Sequence, residues 1–201
     1  MNFCNQCGDK VTQKIPEDDN RLRFVCSSCD FIHYQNPNIV AGVLPLIVDT
    51  DGQEKVLLCK RGIEPRHGFW TLPAGFMENE ESIEEAAARE SMEEANLELE
   101  QLKIYTVTSL PYISQVYMMY IGQASHDFSP GSESLETQLF TESQIPWDDL
   151  AFTVIKHTLE HYFNDRKAVF SEQSATDHTQ SVLSTTDISR FPVHHSSLQR
   201  S

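Results

Sequence analysis

Residues 72–97 read LPAGFMENEESIEEAAARESMEEANL, and the second half of this stretch has the features of one helix. Ser82 is followed three residues later by Glu85, which is the spacing of a capping box at the start of a helix. Three consecutive alanines, the strongest helix formers, come next. With 3.6 residues per turn, the apolar stripe of this helix is continued by Glu90 and Glu94. The sequence therefore predicts a helix that carries carboxylates on its apolar side.

These carboxylates indicate a metal site. Like charges four residues apart destabilise an isolated helix by roughly 0.2–0.5 kcal/mol, and burying charged groups costs far more. A divalent cation bound by Glu90 and Glu94, with Glu93 at their flank, would offset that cost. A solvated acidic face is the alternative. The position of the acids on the apolar side and the Pro-Ala-Gly-Phe turn before the helix favour the metal site.

Composition and charge limit the classes of partner. The chain has 201 residues, enough for one substantial domain and an appendage, and a formal net charge of −15 from 30 acids and 15 bases. A chain this acidic, with no local basic stripe, repels nucleic acid, so we expect no nucleic-acid partner. No run approaches the ~20 apolar residues of a membrane span, and the N-terminus lacks the apolar run of a signal peptide. We expect a cytoplasmic protein with no membrane partner.

Two cysteine pairs predict a small metal-binding domain over residues 1–36. Cys4-x-x-Cys7 and Cys26-x-x-Cys29 each offer two thiolates on a tight turn, as tetrahedral zinc requires. The pattern resembles a zinc ribbon. Four thiolate ligands leave no open coordination position, so we expect a structural Zn²⁺ that supplies folding energy. Two disulfides, or a redox pair, are the alternatives.

A hairpin and a cationic loop are predicted before the helix. Residues 39–48 and 56–59 read as apolar strands joined by an Asp-Thr-Asp-Gly turn. In the loop that follows, Arg61 and Arg66 are candidates for neutralising phosphates, and Phe69 is a candidate for stacking on a base. Surface salt bridges are the alternative for the arginines. We expect the neighbouring tryptophan to lie in the core.

From position 75 the sequence resembles the Nudix box, written G-x5-E-x7-R-E-U-x-E-E-x-G-U, where U is apolar. Ser91 stands where an apolar residue is usual, and Asn96 stands where glycine is usual. Asparagine tolerates the left-handed backbone conformation, so Asn96 can still end the helix. The matching positions are Gly75, Glu81, Arg89, Glu90, Glu93, Glu94 and Leu97.

The resemblance implies an α+β fold, with a Nudix α/β/α sandwich and a mixed sheet over residues 37–168, preceded by the Cys₄ zinc ribbon. It also implies Mg²⁺ or Mn²⁺ held mainly by Glu90 and Glu94, with Glu93 and Glu81 assisting. Arg89 would orient a glutamate. The implied reaction is hydrolysis of a diphosphate linked to a nucleoside, in which a carboxylate takes a proton from water.

The segment after the box is expected to select the substrate. Strands are predicted at 102–107 and 115–121, and Tyr112 and Gln115, with Gly75, are candidate substrate contacts. Zinc-ribbon Nudix enzymes that act on NADH carry an S-Q-P-W-P-F-P-x-S pattern, of which little survives here. The chain looks more like the ADP-ribose/FAD pyrophosphatase type, which releases AMP. NADH or another dinucleotide is one alternative substrate, and a non-catalytic nucleotide-binding module is another interpretation.

The sequence also suggests candidates for the general base and a structure for the C-terminal region. Among the acids after the second predicted strand, Glu136 is preferred over Glu133 as the base. His157 and His161 are four residues apart on a predicted helix, and we expect surface or capping histidines there, not a metal pair. Residues 169–201 are rich in Ser, Thr and His and predict a disordered tail. The resemblance also favours a homodimer.

Overall fold

The computed structural model describes residues 1–176 and 187–199, and it divides into two units, Met1–Pro37 and Asn38–Ser201. The first unit is a three-stranded antiparallel sheet in the order β1-β2-β3. The two strands on either side of the second cysteine pair are antiparallel partners. The first strand, whose side chains are largely exposed, has no apolar pattern to reveal it. The strands are β1 (Val11–Lys14), β2 (Arg23–Cys26) and β3 (Ile32–His33).

The second unit contains an eight-stranded mixed sheet and two long helices. The main strand order is β10-β5-β4-β9-β8-β11, with β6 added beside β5 and β7 beside β4. Strands β4 and β9 are parallel, as are β8 and β11, and the other pairs are antiparallel. The elements are β4 (Asn38–Val48), β5 (Glu54–Arg61), β6 (Trp70–Thr71), β7 (Ala74–Phe76), α1 (Ile83–Ala95), β8 (Leu99–Leu110), β9 (Gln115–Ala124), β10 (Ser134–Phe140), α2 (Thr153–Thr176) and β11 (His194–Ser197).

The central strand β4 explains how the helices sit on the sheet. Successive side chains of a strand point to opposite faces, and here both faces are apolar. Val40 and Leu44 belong to the same buried cluster as Leu159 of α2. Val43 belongs to a second cluster with Ala86 of α1. The helices therefore cover opposite faces of one sheet, and the predicted α/β/α sandwich with a mixed sheet is confirmed.

The predicted hairpin and core tryptophan are also confirmed. Strands β4 and β5 pair in an antiparallel register from Leu46 to Val48. Trp70 is 9% exposed and lies edge-on against Phe140, with ring centroids 5.0 Å apart. This hairpin and the short strands β6 and β7 carry the loop that leads into α1. Among the described residues, no helix is long and apolar enough to cross a membrane.

The predicted disordered tail is wrong for its described parts. Helix α2 continues to Thr176, and the segment 187–199 adds the parallel edge strand β11 next to β8. Phe191 is 1% exposed and lies 5.9 Å from Tyr105 between ring centroids. The polar composition concealed this segment because a strand pairs through its backbone, and the buried apolar side chains of the segment are Ile188 and Phe191. The predicted tail positions 177–186 and 200–201 lie outside the described residues.

Replacement of Phe191 by alanine tests the role of this segment. Because the ring is buried in the main core, we expect Phe191→Ala to lower the free energy of unfolding by about 3–5 kcal/mol. Val193, 39% exposed on the same segment, provides the control. Val193→Ala should change stability by no more than about 0.5 kcal/mol. Equal urea-unfolding curves for the two variants would contradict the placement of Phe191 in the core.

Candidate active site

The four cysteines expected to bind zinc lie together in the first unit. The Sγ atoms of Cys4 and Cys29 are 3.8 Å apart. Those of Cys7 and Cys26 are 3.4 Å apart, and all four sulfurs lie within 4.8 Å of one another. The corners of a tetrahedron with Zn–S bonds of about 2.3 Å are about 3.8 Å apart, so this donor set fits Zn²⁺. All four are free thiols, which rules out the disulfide alternative.

Helix α1 begins and ends as predicted. Ser82 Oγ accepts a hydrogen bond from Glu85 N at 3.2 Å, and Glu85 Oε2 accepts one from Ser82 N at 2.7 Å. Asn96 ends the helix in the left-handed conformation, with φ 48° and ψ 40°. Ser91, at the position where an apolar residue is usual, is fully buried and donates to Ala87 O at 2.8 Å. Both departures from the box are therefore accommodated locally.

Two carboxylates of α1 are buried where the helix meets β7. Glu90 is 9% exposed and Glu94 is 5% exposed. Ala74 N donates to Glu94 Oε2 at 3.3 Å. A Cβ atom on Gly75 would lie 2.2 Å from Glu90 Oε1, so any other residue here would require the Glu90 carboxylate to move from its present position. Two residues of β7 thus accommodate the two buried carboxylates: Ala74 donates a hydrogen bond to Glu94, and Gly75 leaves space for Glu90.

Arg89 connects three glutamates of the box. Its Nε and one terminal nitrogen donate to the two carboxylate oxygens of Glu81 at 3.0 and 2.9 Å. The other terminal nitrogen donates to Glu90 Oε1 at 2.8 Å and to Glu93 Oε2 at 2.9 Å. The guanidinium also donates to Phe76 O at 3.1 Å. Its hydrogen bonds lower the pKa of Glu81 to about 2, so this carboxylate stays ionised and holds Arg89 in place.

The buried acids have the electrostatic character of a cation site. Burial raises the pKa of Glu94 to about 8, and the charge of Glu90 adds to this rise. Burial also raises the pKa of Glu90, against the opposing effect of Arg89. Carboxylates that are costly to ionise in isolation are stabilised by a divalent cation with a preference for oxygen ligands. The chemistry of the donor set therefore fits the metal that the box implies.

A cavity of about 910 Å³ opens beside these acids, and one part of its wall is basic. Arg61 lines it, is 9% exposed and lies over the ring of Phe152 at 5.2 Å. Its Nε donates to Pro65 O at 2.9 Å. Arg66 lines the same cavity. Two guanidinium groups and buried carboxylates at one cavity can together accommodate an anionic phosphate chain and its counterions.

Another part of the cavity wall is apolar although it faces solvent. Tyr112 is 49% exposed and Ile113 is 48% exposed, and both come from the short 3-10 turn between β8 and β9. Ile63 and Phe76, which also line the cavity, are 39% and 54% exposed. Exposed apolar side chains gathered at a cavity are typical of a binding surface for a ring or other apolar group.

The structure brings most of the predicted substrate contacts together. Gly75, Tyr112 and Gln115 line the cavity with the two arginines. Phe69 lies outside the lining, and its ring instead packs beneath the guanidinium of Arg66, 5.3 Å from the centroid. Ile113 and Phe152 also line the cavity, and neither was predicted as a site residue. Their positions in the turn after β8 and at the start of α2 gave no functional signal.

The structure places the two candidate general bases in different surroundings. Glu136 is in strand β10 opposite Lys60, with its Oε2 3.7 Å from the lysine Nζ, and it lies outside the cavity lining. Glu133 lies in the preceding loop and lines the cavity. A register shift between Ser134 and Glu136 separates them, and it places Glu136 on the strand that pairs with β5. Spacing alone could not separate the two acids.

The histidines of α2 lie outside this cavity lining as well. His157 is 42% exposed, with Nδ1 3.4 Å from Glu160 Oε2. His161 stacks on His194 of β11, with ring centroids 4.0 Å apart, and His194 Nε2 is 2.7 Å from Asp165 Oδ2. The second histidine is therefore a contact between α2 and the C-terminal strand.

Family models match both units of the chain. The model described as Nudix N-terminal, a zinc ribbon, matches residues 2–35. The model described as NUDIX domain matches residues 38–162. The chain belongs to the Nudix family. The four cysteines thus form the zinc ribbon of a Nudix protein, and the helix with buried glutamates is its Nudix-box helix.

Individual relatives agree with this assignment. A crystal structure of a NUDIX hydrolase from Nitrosomonas europaea is 44% identical, with a TM-score of 0.78, and the match covers 98% of this chain and all of that one. A protein from Vibrio atlanticus named NAD-capped RNA hydrolase NudC is 29% identical over 86% of this chain. The match covers only 62% of that protein's length. The NUDIX domain of Shewanella oneidensis NrtR, solved with ADP ribose, shares the fold at 18% identity, with a TM-score of 0.56 over 65% of this chain and 90% of that one.

Zinc content tests the ribbon of this Nudix protein. We expect one equivalent of zinc per purified chain, and its loss in Cys26→Ser, because a hydroxyl is a poor replacement for a thiolate ligand. Cys59 is buried in the sheet and distant in sequence from the ribbon. Cys59→Ala is therefore the matched control and should retain the metal. Atomic absorption after dialysis measures both, and equal zinc in the two variants would contradict the assignment.

Proposed function

We propose that this Nudix protein hydrolyses the diphosphate bond of a nucleoside-diphosphate-linked compound in a reaction that depends on a divalent metal, and releases AMP. One observation carries the proposal. The buried carboxylates of Glu90 and Glu94 and the guanidinium groups of Arg61 and Arg66 line a single cavity. Cationic side chains bind a phosphate chain, and carboxylates bind the cations that such a chain brings or requires.

The residues can be given separate roles. Glu90 and Glu94, with Glu93 beside them, would hold Mg²⁺ or Mn²⁺. When bound, such a cation polarises phosphoryl oxygens. Arg89 holds the metal-binding carboxylates in position through its bonds to Glu81, Glu90 and Glu93.

Arg61 and Arg66 would bind phosphate oxygens, and Glu133 would take the proton of the attacking water. Glu133 suits that role since it lines the cavity without a hydrogen bond to Arg89, whereas Glu81, Glu90 and Glu93 of the box are each bound by that arginine. A carboxylate that is not held by a guanidinium keeps its oxygens available for water.

The shape of the cavity bears on the substrate. Its apolar part, around Tyr112 and Ile113, suits a base or another ring, while the basic part suits a diphosphate. A volume of about 910 Å³ accommodates a compound with a ring at one end and a sugar phosphate or second ring at the other. We propose ADP-ribose or FAD as the substrate class, in agreement with the resemblance noted from the sequence.

A second candidate comes from the relatives. Several curated proteins similar to this chain, among them those of Vibrio atlanticus and Deinococcus radiodurans, are named NAD-capped RNA hydrolase NudC, which favours a substrate with an NAD-type diphosphate. The net charge of −15 disfavours an RNA body on such a substrate because the phosphates would be repelled. As the alternative substrate, NADH or another free dinucleotide is therefore favoured over an NAD-capped RNA.

A substrate panel distinguishes the candidates. Purified protein with Mg²⁺ or Mn²⁺ is incubated with ADP-ribose, FAD, NADH and an NAD-capped RNA, and released AMP or the shortened cap is measured. We expect ADP-ribose or FAD to give the highest kcat/KM. Glu94→Gln should lower kcat by about 10²–10³-fold, since one metal-binding carboxylate is lost. Glu84, exposed on the same helix, supplies the control variant Glu84→Gln. Cleavage of no compound would favour a nucleotide-binding module instead.

The identity of the general base is a separate prediction. Glu133→Gln keeps the size of the side chain and removes its basicity, so kcat should fall by about 10²–10⁴-fold with little change in KM. Glu136→Gln, two strand residues beyond Ser134 and outside the cavity, is the matched control and should keep wild-type kcat. The reverse pattern of activities would restore Glu136 as the base.

A further inference from the structure

The loop that carries Glu133 is attached to the C-terminal end of the Nudix-box helix. Ser129 N donates to Ala95 O at 2.9 Å, and Gly131 N donates to Glu94 O at 3.0 Å. The last carbonyl groups of a helix have no partner within the helix, so this loop supplies the missing donors. The two backbone bonds place the loop directly against the residues that bear the buried carboxylates.

The side chain of Asn96 adds a third attachment. Its Nδ2 lies 3.2 Å from Ser129 O, 3.1 Å from Ser129 Oγ and 3.2 Å from Pro130 O. Two of these three partners are carbonyl oxygens, which can only accept, so a donor is required at this position. Asn96 thus serves both the helix, through its left-handed backbone, and the loop, through its amide.

The opposite end of the loop is also fixed. Gly62 N, next to Arg61, donates to Glu133 O at 2.7 Å. A Cβ atom on Gly131 would lie 1.8 Å from Glu93 O, so the loop approaches α1 as closely as a backbone can. Between these two points the chain has little freedom to move, and Glu133 lines the same cavity as Glu90 and Glu94.

We propose that Asn96 is a positioning residue for the reaction, which acts by holding the 129–133 loop so that the Glu133 carboxylate meets the attacking water. This inference rests on the proposed function. Glycine, the usual residue here in the Nudix box, would end the helix equally well but would leave the loop without the amide donor. Asparagine in place of glycine at position 96 is therefore more than a residue that tolerates the left-handed conformation, because its amide holds the loop.

The variant Asn96→Gly separates the two roles of this residue. Glycine adopts the left-handed conformation without strain, so the helix end is kept and stability should not fall. We expect kcat to fall about 10-fold, because the loop that carries Glu133 loses its side-chain attachment, while KM changes by less than about twofold. Asn96→Asp should be worse, as its carboxylate would face two carbonyl oxygens. Asp18, another exposed left-handed residue (φ 63°), provides the control Asp18→Gly.

Two further measurements make the proposal falsifiable. If Asn96 acts through Glu133, the double variant Asn96→Gly/Glu133→Gln should be no slower than Glu133→Gln alone. Additive losses would overturn the proposal, as would a wild-type kcat in Asn96→Gly. Hydrogen exchange at the Ser129 and Gly131 amides measures how often the hydrogen bonds of the loop open, independently of turnover. We expect faster exchange in Asn96→Gly. If the wild type cleaves no substrate, the proposed function fails, whereas unchanged exchange in the variant overturns the inference on Asn96 by itself.

Discussion

The burial of two carboxylates on the Nudix-box helix is the constraint on which the rest of the site depends. Glu90 and Glu94 lie on the stripe that packs toward the sheet, where ionised groups lose the solvation of water. A helix with apolar residues at these positions would pack without that loss. Three surrounding features reduce the cost of burying these carboxylates. Gly75 makes space, Arg89 supplies positive charge, and the cavity gives access to a cation.

Arg89 is central because one planar group satisfies several acids at once. Its nitrogen atoms reach Glu81 before the helix and Glu90 and Glu93 along it, so the loop and the helix are held as one piece. Lysine could offer a charge but not donors in a fixed plane. Glu94, which lies on the helix beyond the reach of these bonds, accepts only from the backbone of Ala74 in the described structure and keeps the most strongly raised pKa of the acids in the box.

Local features of this fold were predictable from the sequence, and long-range ones were not. The capping box at Ser82, the helix end at Asn96 and the cysteine turns depend on residues a few positions apart, and their spacing is visible in the chain. The positions of Glu133 and Glu136 relative to the cavity depend on a register shift in β10, which no spacing reveals. The amide of Asn96 meets partners 33 and 34 residues away, so its second role needed the folded structure.

The C-terminal strand has a consequence for the order of folding. Phe191 completes the core beside Tyr105 and Tyr162, and about half of the second unit separates it from Tyr105 along the chain. Contacts between distant segments form slowly, since the entropy of closing a long loop must be overcome before they contribute any stability. The β4–β5 hairpin and the Nudix-box helix, by contrast, are closed by neighbours in sequence. We therefore expect the Nudix-box helix to form early and the domain core to be completed last, by the segment that leads into the edge strand β11.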